Sequence, residues 1–196
     1  RVIVRVDTLT GFIDSSTALT DAYDSSTFRG ATSVDGQSFW MSGNNANGSI
    51  RYATLGATTS TDISISPTNM RWIDTYKGQL YATSASTGAL AQGVMEIGAG
   101  LPTTPGQTAT VLPGFPINGV FSDGAPYDFW FADDNTLYVA DGAFTGSNCG
   151  VQKWTLAGGT WTRQYTIVVG ATECIRGLSG VVRNGVAEIW FTAEPS

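Results

Sequence analysis

The feature that most constrains the fold of this chain is a pattern of short strands that returns at intervals of about 40 to 60 residues. Its clearest element is a strand with an aromatic residue near its middle. This strand occurs at residues 39–42 (FWMS), 80–83 (LYAT), 137–140 (LYVA) and 189–192 (IWFT). The turns before it contain Asp35-Gly36, Lys77-Gly78, Asp134-Asn135 and Asn184-Gly185. Because glycine and asparagine tolerate the positive φ of a tight hairpin, each aromatic strand is predicted to be the second strand of a hairpin.

Further strands complete the pattern around each hairpin. A first strand precedes the turn, and a third and a more variable fourth strand follow the aromatic one, each with alternating apolar and polar residues. No segment of useful length has helical periodicity. We therefore predict an all-β fold, a β-propeller built from four-stranded antiparallel blades. A sandwich or barrel would also contain short strands, but it would not need the same four strands in the same order.

The predicted blades occupy the chain as one domain, or one propeller segment, over residues 1–196. Full blades are expected at residues 28–66, 69–113 and 126–168, with half-blades at 1–20 and 175–196. The half-blades could pair to close a four-bladed ring, or further blades could come from sequence outside this chain. In either case the open strand edges need cover, because their backbone donors and acceptors are unpaired. Neighbouring chains of an extracellular assembly are one such cover.

Composition favours a secreted protein and argues against nucleic acid and membranes as partners. Charged residues make up 13% of the chain, against about 25% in most soluble domains. The formal net charge is −6, and no basic cluster exists to bind nucleic acid or anionic lipid. No apolar run approaches the roughly 18 residues of a transmembrane helix, so membrane insertion is not expected. We expect an acidic protein that is secreted, extracellular or held at the cell surface.

Several short motifs carry a resemblance to a known family. They are residues 4–7 (VRVD), 14–21 (DSSTALTD), 51–61 (RYATLGATTST), 78–81 (GQLY), 100–104 (GLPTT), 112–115 (LPGF), 137–141 (LYVAD), 151–154 (VQKW) and 158–161 (GGTW). Through them, nearly the whole chain resembles a family of large, uncharacterised secreted proteins of bacteria and some algae. The resemblance implies a propeller of roughly six blades, with this chain as a central portion. It supplies no catalytic motif that could be transferred to positions here.

The absence of histidine removes most familiar catalytic systems. Ser-His-Asp and Cys-His nucleophiles, His-ligated zinc and the usual general base near neutral pH all require histidine. A pair of carboxylates, as in glycosidases, remains conceivable. The candidate carboxylates are Asp74, Asp128, Asp133, Asp134, Asp141 and Glu188. The plainer interpretation is that they accept backbone hydrogen bonds at turns and strand ends, and we predict no catalytic residue.

Three arginines form the first group of candidate ligand-binding residues. Arg29, Arg71 and Arg176 stand near the start of three first strands, which are the innermost strands of the predicted blades. They are expected to line a central channel and to pair with Asp74 or Asp128. The sharper alternative is that the arginines bind an anionic ligand.

Aromatic residues form the second group. The six tryptophans are Trp40, Trp72, Trp130, Trp154, Trp161 and Trp190. Exposed aromatic rings can stack on sugars, but all six lie within predicted strands, where packing between blades is the stronger interpretation. Trp161 and Tyr165 lie on an outermost strand and are predicted to be exposed, which makes them the candidates for contact with a glycan.

Two acidic loops suggest calcium as the one conceivable cofactor. Asp133 and Asp134 occupy the first loop, and Asp141 and Asn148 begin and end the second. Their oxygen ligands are of the kind that calcium prefers, although neither loop fits the twelve-residue calcium loop. Ordinary hairpin loops are the simpler interpretation, and no other cofactor is expected.

Two covalent features complete the candidates. Cys149 and Cys174 could form one disulfide in an oxidising compartment, or could remain two thiols. Asn47 begins a glycosylation sequon, which matters only if the source is eukaryotic.

Together these observations favour a non-catalytic extracellular propeller that acts as a binding or structural module for protein or glycan surfaces. One alternative is a carboxylate-dependent polysaccharide hydrolase or lyase. The other is a subunit of an extracellular assembly that neighbouring chains complete. Fold alone does not decide among them, since propellers serve as both enzymes and scaffolds.

Overall fold

A computed structural model describes residues 1–45, 49–86, 88, 92–117, 124–142, 149–168 and 173–195. All regular structure in these residues is β-strand. The strands are β1 (Val2–Val6), β2 (Ile13–Ala18), β3 (Thr27–Thr32), β4 (Ser38–Asn44), β5 (Ile50–Thr54), β6 (Thr61–Ser64), β7 (Met70–Tyr76), β8 (Gln79–Ala85), β9 (Gln92–Ile97), β10 (Ala109–Val111), β11 (Pro126–Asp133), β12 (Thr136–Asp141), β13 (Gly150–Ala157), β14 (Thr160–Ile167), β15 (Glu173–Arg183) and β16 (Val186–Pro195). No helix in the described ranges is long and apolar enough to cross a membrane.

The strands form sheets in simple sequential order. Three sheets have four strands each, in the orders β3-β4-β5-β6, β7-β8-β9-β10 and β11-β12-β13-β14. Two sheets have two strands each, β1-β2 and β15-β16. The predicted fold class, all-β with three four-stranded antiparallel sheets and two half-sheets, is confirmed. The chain divides into two compact units, Arg1–Ala82 with Ile97–Ala109, and Thr83–Glu96 with Thr110–Ser196.

Two of the four predicted hairpin turns have positive φ at both central residues, whereas Asp134 and Asn135 do not. Lys77 and Gly78, which join β7 to β8, both have positive φ, and so do Asn184 and Gly185 between β15 and β16. Two successive residues of positive φ define the type I′ turn, whose twist matches that of the flanking strands.

The turn before β4 shows how an aspartate fixes such a connection. Asp35 Oδ1 accepts the backbone N–H groups of Gln37 and Ser38, each at 2.7 Å. These two hydrogen bonds lower the pKa of Asp35, because they stabilise the ionised carboxylate. Asp35 therefore stabilises the turn by accepting backbone hydrogen bonds, which is the role suggested above for acidic residues at turns.

The core of the first unit joins the β1-β2 sheet to the β3-β6 sheet. Its buried cluster is Ile3, Leu19, Ala22, Tyr23, Phe39, Met41 and Ala53. Tyr23 is fully buried, stacks on Phe28 at 5.5 Å between ring centroids, and donates its hydroxyl to Ser49 O. Gly43 faces this ring so closely that a Cβ there would overlap it. The aromatic side chain thus packs between sheets, which buries a large apolar area.

A buried arginine holds the outer strands of the same sheet. Arg51 on β5 is 6% exposed and forms ion pairs with Asp62 on β6 at 2.9 Å and with Asp21 at 3.2 Å. Burial raises the pKa of Asp62, although the charge of Arg51 opposes that shift. Burial also acts on Asp21, but the hydrogen bonds from Ser60 and the charge of Arg51 outweigh it and lower the pKa of Asp21.

The core of the second unit joins the β11-β14 sheet to the β15-β16 sheet. Its buried cluster is Tyr138, Ala140, Val151, Ile175 and Leu178, with Trp130 packed against it. Trp130 stacks on Tyr138 at 5.9 Å between ring centroids and lies directly over Gly180, where a Cβ would overlap the indole. A glycine on β15 therefore makes room for a tryptophan of the neighbouring sheet, which is the packing role predicted for most of the tryptophans.

Candidate functional site

The first strands of three sheets begin with the same irregularity, a β-bulge. The pairing shifts between Phe28 and Gly30 on β3, between Pro126 and Asp128 on β11, and between Ile175 and Gly177 on β15. The extra residues are therefore Arg29, Tyr127 and Arg176. A bulge leaves one residue outside the regular ladder and re-aims its side chain. Arg29 and Arg176 do share one position, as the sequence predicted, and Tyr127 takes that position in the third of these sheets.

Two of these bulge residues reach toward a neighbouring sheet of their own unit. Arg29 Nη1 donates to Asn69 Oδ1 at 2.5 Å and to Met70 O at 2.9 Å. The guanidinium of Arg176 lies 4.4 Å from the ring centroid of Tyr127, a cation–π contact. These contacts give Arg29 and Arg176 a structural role. An anionic ligand bound by the arginines stays a prediction.

Arg71 occupies a matching place on β7. Its carbonyl oxygen accepts the hydroxyl of Ser42 on β4 at 3.2 Å. In the second unit, the hydroxyl of Thr83 donates to the carbonyl of Tyr127 at 2.9 Å. The two bonds repeat one connection, from the second strand of a sheet to the start of the next first strand. The position of Arg71 therefore corresponds to the position of Tyr127.

The two aspartates predicted to accompany the arginines also bond between sheets. Asp74 Oδ1 accepts the hydroxyl of Thr32 on β3 at 3.0 Å. Asp128 is 3% exposed, and its Oδ2 accepts the backbone N–H of Leu178 on β15 at 2.7 Å. Each carboxylate thus ties one first strand to the next. Buried carboxylates are stable in the ionised form only when such donors compensate the loss of water.

The two acidic loops predicted to offer calcium ligands are separate sites, and calcium at either loop stays a prediction. Asp133 pairs with Thr136, whereas Asp141 pairs with Pro126, so Asp133 and Asp141 lie at opposite ends of the β11-β12 hairpin. Asp133 Oδ1 accepts the backbone N–H of Asn135, a turn role. Over the part of the chain that the structure describes, no three His, Cys, Asp or Glu side chains form a metal-type cluster.

The remaining predicted positions fall partly outside the described residues. Asn148 and Asn47 lie outside them, so calcium at the second loop and glycosylation stay predictions. Cys149 is half-buried, and the side chain of Cys174 is not described, so the disulfide also stays a prediction.

A small cavity lies beneath the β11-β14 sheet. Around it, Trp154 Nε1 donates to Gln152 Oε1 at 2.9 Å, and Gln152 Nε2 donates to Asp141 Oδ2 at 3.0 Å. Gln92, which is 2% exposed, also lines the cavity, and neither its amide nitrogen nor its amide oxygen has a hydrogen-bond partner within the described ranges. The cavity volume is only about 10 Å³. That is room for one water molecule, so the cavity is too small for an organic ligand.

A much larger groove lies at the outer edge of the same sheet, along β14. Its volume is about 580 Å³, which is within the usual range for ligand sites. The lining residues are Gly114, Pro116, Trp154, Thr160, Trp161, Thr162 and Arg163. Trp154 pairs with Arg163 across β13 and β14, which places both on one face of the sheet. The groove therefore combines two indoles, hydroxyl groups and one cationic side chain.

The predicted exposure of Trp161 is wrong, whereas that of Tyr165 is confirmed. Trp161 is 5% exposed and packs edge-on against Phe131, at 6.0 Å between ring centroids. The backbone around Pro113 covers it, because Trp161 donates its N–H to Pro113 O at 2.8 Å. Gly114 follows so closely that a Cβ there would overlap the carbonyl of Trp161. Tyr165, farther along β14, is 49% exposed.

Sequence reasoning missed two parts of this groove, the loop at Pro113 to Pro116 and Arg163. The signal for Arg163 is present in the sequence. No aspartate or glutamate occurs between Asp141 and Glu173, whereas Lys153 and Arg163 both do, in a chain of net charge −6. The sequence contains no signal for the loop, because local sequence does not indicate which distant strand a loop will contact.

Comparison with known proteins gives one structural similarity and no match in sequence. A search of family models finds no match, and a search of curated proteins finds none either. Among solved structures, the chain is similar to YCF48 from Cyanidioschyzon merolae, with a TM-score of 0.54 and 12% sequence identity. The alignment covers 78% of this chain and 44% of that one.

The chain has a β-propeller-like fold. At 12% identity the similarity to YCF48 concerns the fold alone. The chain spans less than half of that protein, at 44%. The resemblance to a family of secreted proteins is thereby supported at the level of a propeller-like fold, and its blade number and secretion stay predictions.

Proposed function

We propose that this chain is a non-catalytic extracellular binding module, and that it binds its partner in the groove along β14. The observation that carries the proposal is the groove itself, with a volume of about 580 Å³. Its lining combines two tryptophans with two threonines and one arginine. Binding sites typically combine apolar walls with a few placed polar groups in this way.

Charge supports the choice of this surface. The stretch between Asp141 and Glu173 carries Lys153 and Arg163 and no acidic residue, while the whole chain has a net charge of −6. The groove contains one of these cationic side chains, Arg163, and its charge favours an anionic partner through electrostatic complementarity. The low charged fraction of 13% supports an extracellular location for the module.

The roles of the buried carboxylates support a binding function over catalysis. Asp128 and Asp141 both accept backbone N–H groups, from Leu178 and Ala125 respectively. A hydrolase would need two carboxyl groups that face a shared substrate across roughly 5 to 10 Å. These two carboxylates instead hold neighbouring backbone segments in place.

The test is a binding screen with matched arginine variants. The protein is applied to arrays of glycans and of peptides, together with Arg163→Ala and Arg183→Ala. Arg183 is the control because it is exposed on the β15-β16 hairpin and contacts Glu188 rather than the groove. We expect at least one ligand that wild type and Arg183→Ala bind with equal affinity, and that Arg163→Ala binds at least tenfold more weakly. A ligand bound equally by all three proteins would place the site elsewhere, and product release from a polysaccharide would support the enzyme alternative.

A further inference from the structure

Gln92, the first residue of β9, is a buried polar side chain with an unsatisfied amide. It is 2% exposed, and among the residues that the structure describes neither its amide nitrogen nor its amide oxygen has a hydrogen-bond partner. An amide that is removed from water without new hydrogen bonds retains its full desolvation cost, and native proteins rarely leave such a group unpaired. We therefore expect this amide to hold a small polar ligand.

The cavity beside Gln92 lies between strands of two sheets. Its lining includes Gln92 and Gly93 of β9 and Val139, Asp141, Gln152 and Trp154 of the β11-β14 sheet. Phe115 also lines the cavity, and it stacks on Trp154 at 4.0 Å between ring centroids. The cavity volume of about 10 Å³ admits one water molecule and nothing larger.

The polar groups around the cavity suit water better than a metal ion. Gln92 offers N–H donors as well as an oxygen acceptor, whereas calcium and similar cations are bound by oxygen ligands alone. The lining carboxylate, Asp141, already accepts the backbone N–H of Ala125 at 2.9 Å and Gln152 Nε2 at 3.0 Å. Water can accept and donate at the same time, and a buried water typically forms about three hydrogen bonds.

We propose that one water molecule is bound in this cavity and joins the amide of Gln92 to the polar groups at the ends of β12 and β13. The water extends a network in which Trp154 Nε1 donates to Gln152 Oε1 and Gln152 Nε2 donates to Asp141. It thereby links the β7-β10 sheet to the β11-β14 sheet through hydrogen bonds. This role is separate from the proposed function, and it holds whether or not the groove along β14 binds a partner.

The first experiment is NMR spectroscopy on the isotope-labelled full chain. The side-chain NH₂ protons of Gln92 should show a cross-peak at the water frequency whose sign reverses in the rotating-frame experiment, which separates a resident water from proton exchange. Gln79 is the control, because its amide bonds the backbone directly, with Nε2 donating to Leu80 O at 3.0 Å and Oε1 accepting Gly100 N–H at 2.7 Å. Cross-peaks from the Gln92 amide to protein protons alone would overturn the proposal. A shift of the Gln92 amide signals on addition of calcium chloride would also overturn it, in favour of a cation.

Urea unfolding gives an independent test through the sign of the stability change. Methionine has a shape similar to that of glutamine but forms no comparable hydrogen bonds. If the amide of Gln92 had no ligand, Gln92→Met would remove a desolvation cost and raise the urea midpoint. Because we propose a bound water, we expect Gln92→Met to lower the midpoint, as Gln79→Met does through the loss of its direct bonds. A midpoint above that of wild type would overturn the proposal.

Discussion

Asp128 provides the best test of how the β11-β14 sheet is held to the β15-β16 sheet. Its Oδ2 accepts the N–H of Leu178 on the neighbouring sheet, and its Oδ1 accepts the N–H of Phe129, each at 2.7 Å. Asp128 is 3% exposed and Leu178 is 9% exposed, so water cannot readily replace the carboxylate. We predict that Asp128→Ala destabilises the protein by about 3 kcal/mol.

The magnitude follows from two opposing effects. Each hydrogen bond to a charged group contributes about 1.5 to 3 kcal/mol, and the N–H groups left behind are buried without an acceptor. Removing the carboxylate also removes the cost of burying its charge, which offsets part of the loss. Asp128→Asn should lie close to alanine, because its amide NH₂ would confront one of the two N–H donors.

The assay is urea unfolding followed by tryptophan fluorescence, with amide hydrogen exchange as a local readout. Asp133→Ala is the matched control, since Asp133 ends the same strand but is exposed and serves one turn N–H. We expect the control to cost about 1 kcal/mol or less. The amide of Leu178 should exchange faster in Asp128→Ala and unchanged in the control. Equal destabilisation by the two variants, or an unaltered Leu178 amide, would refute the reasoning.

Three further predictions address other parts of the fold. Arg51→Ala should destabilise the protein by about 2 kcal/mol, a value reduced for solvent screening because its partner Asp62 is partly exposed. The same variant should raise the pKa of Asp62 further, because the charge of Arg51 now lowers it. An NMR titration that finds the pKa of Asp62 unchanged or lower would contradict the ion pair. Because two backbone N–H groups lower the pKa of Asp35, the stability that its carboxylate contributes is present above the unfolded pKa and is lost as pH falls through the folded pKa. Urea unfolding should therefore show Asp35→Ala to be less stable than wild type at pH 7, with a difference that shrinks as the pH is lowered; a difference that does not change with pH would contradict this role of the turn. Gly180→Ala should lower the free energy of unfolding by about 1 to 3 kcal/mol, because the added methyl group overlaps the indole of Trp130. The near-UV circular dichroism spectrum should also change, since the surroundings of Trp130 change. An unaltered spectrum together with unaltered stability would contradict this packing.

Much of the fold could be predicted from local sequence. The turns at Lys77-Gly78 and Asn184-Gly185 have the positive φ that their residues suggest, and the aromatic strands follow them as second strands. Alternation of apolar and polar residues has a period of two in a strand, so the strands can be located without tertiary information. The equivalence of Arg29 and Arg176 was likewise visible, because both follow from the same repeated first strand.

The candidate site could be predicted only in part. Tyr165 was placed on an exposed outer strand, where the structure has it, but Trp161 was placed there too and is buried. The difference between the two residues is the segment at Pro113 and Gly114, which covers one end of β14 and leaves the other open. That contact joins residues far apart in sequence, and no periodicity or turn signal encodes it.

The sequence by itself determined the strands, their turns and their repetition in sets of four, because each depends on residues within a few positions of one another. The tertiary structure alone decided which aromatic side chains are buried, that Tyr127 occupies the bulge position of its sheet, and that a groove runs along β14. Those features depend on which distant backbone segment comes to rest against a strand, and close packing between such segments is a property of the folded chain as a whole.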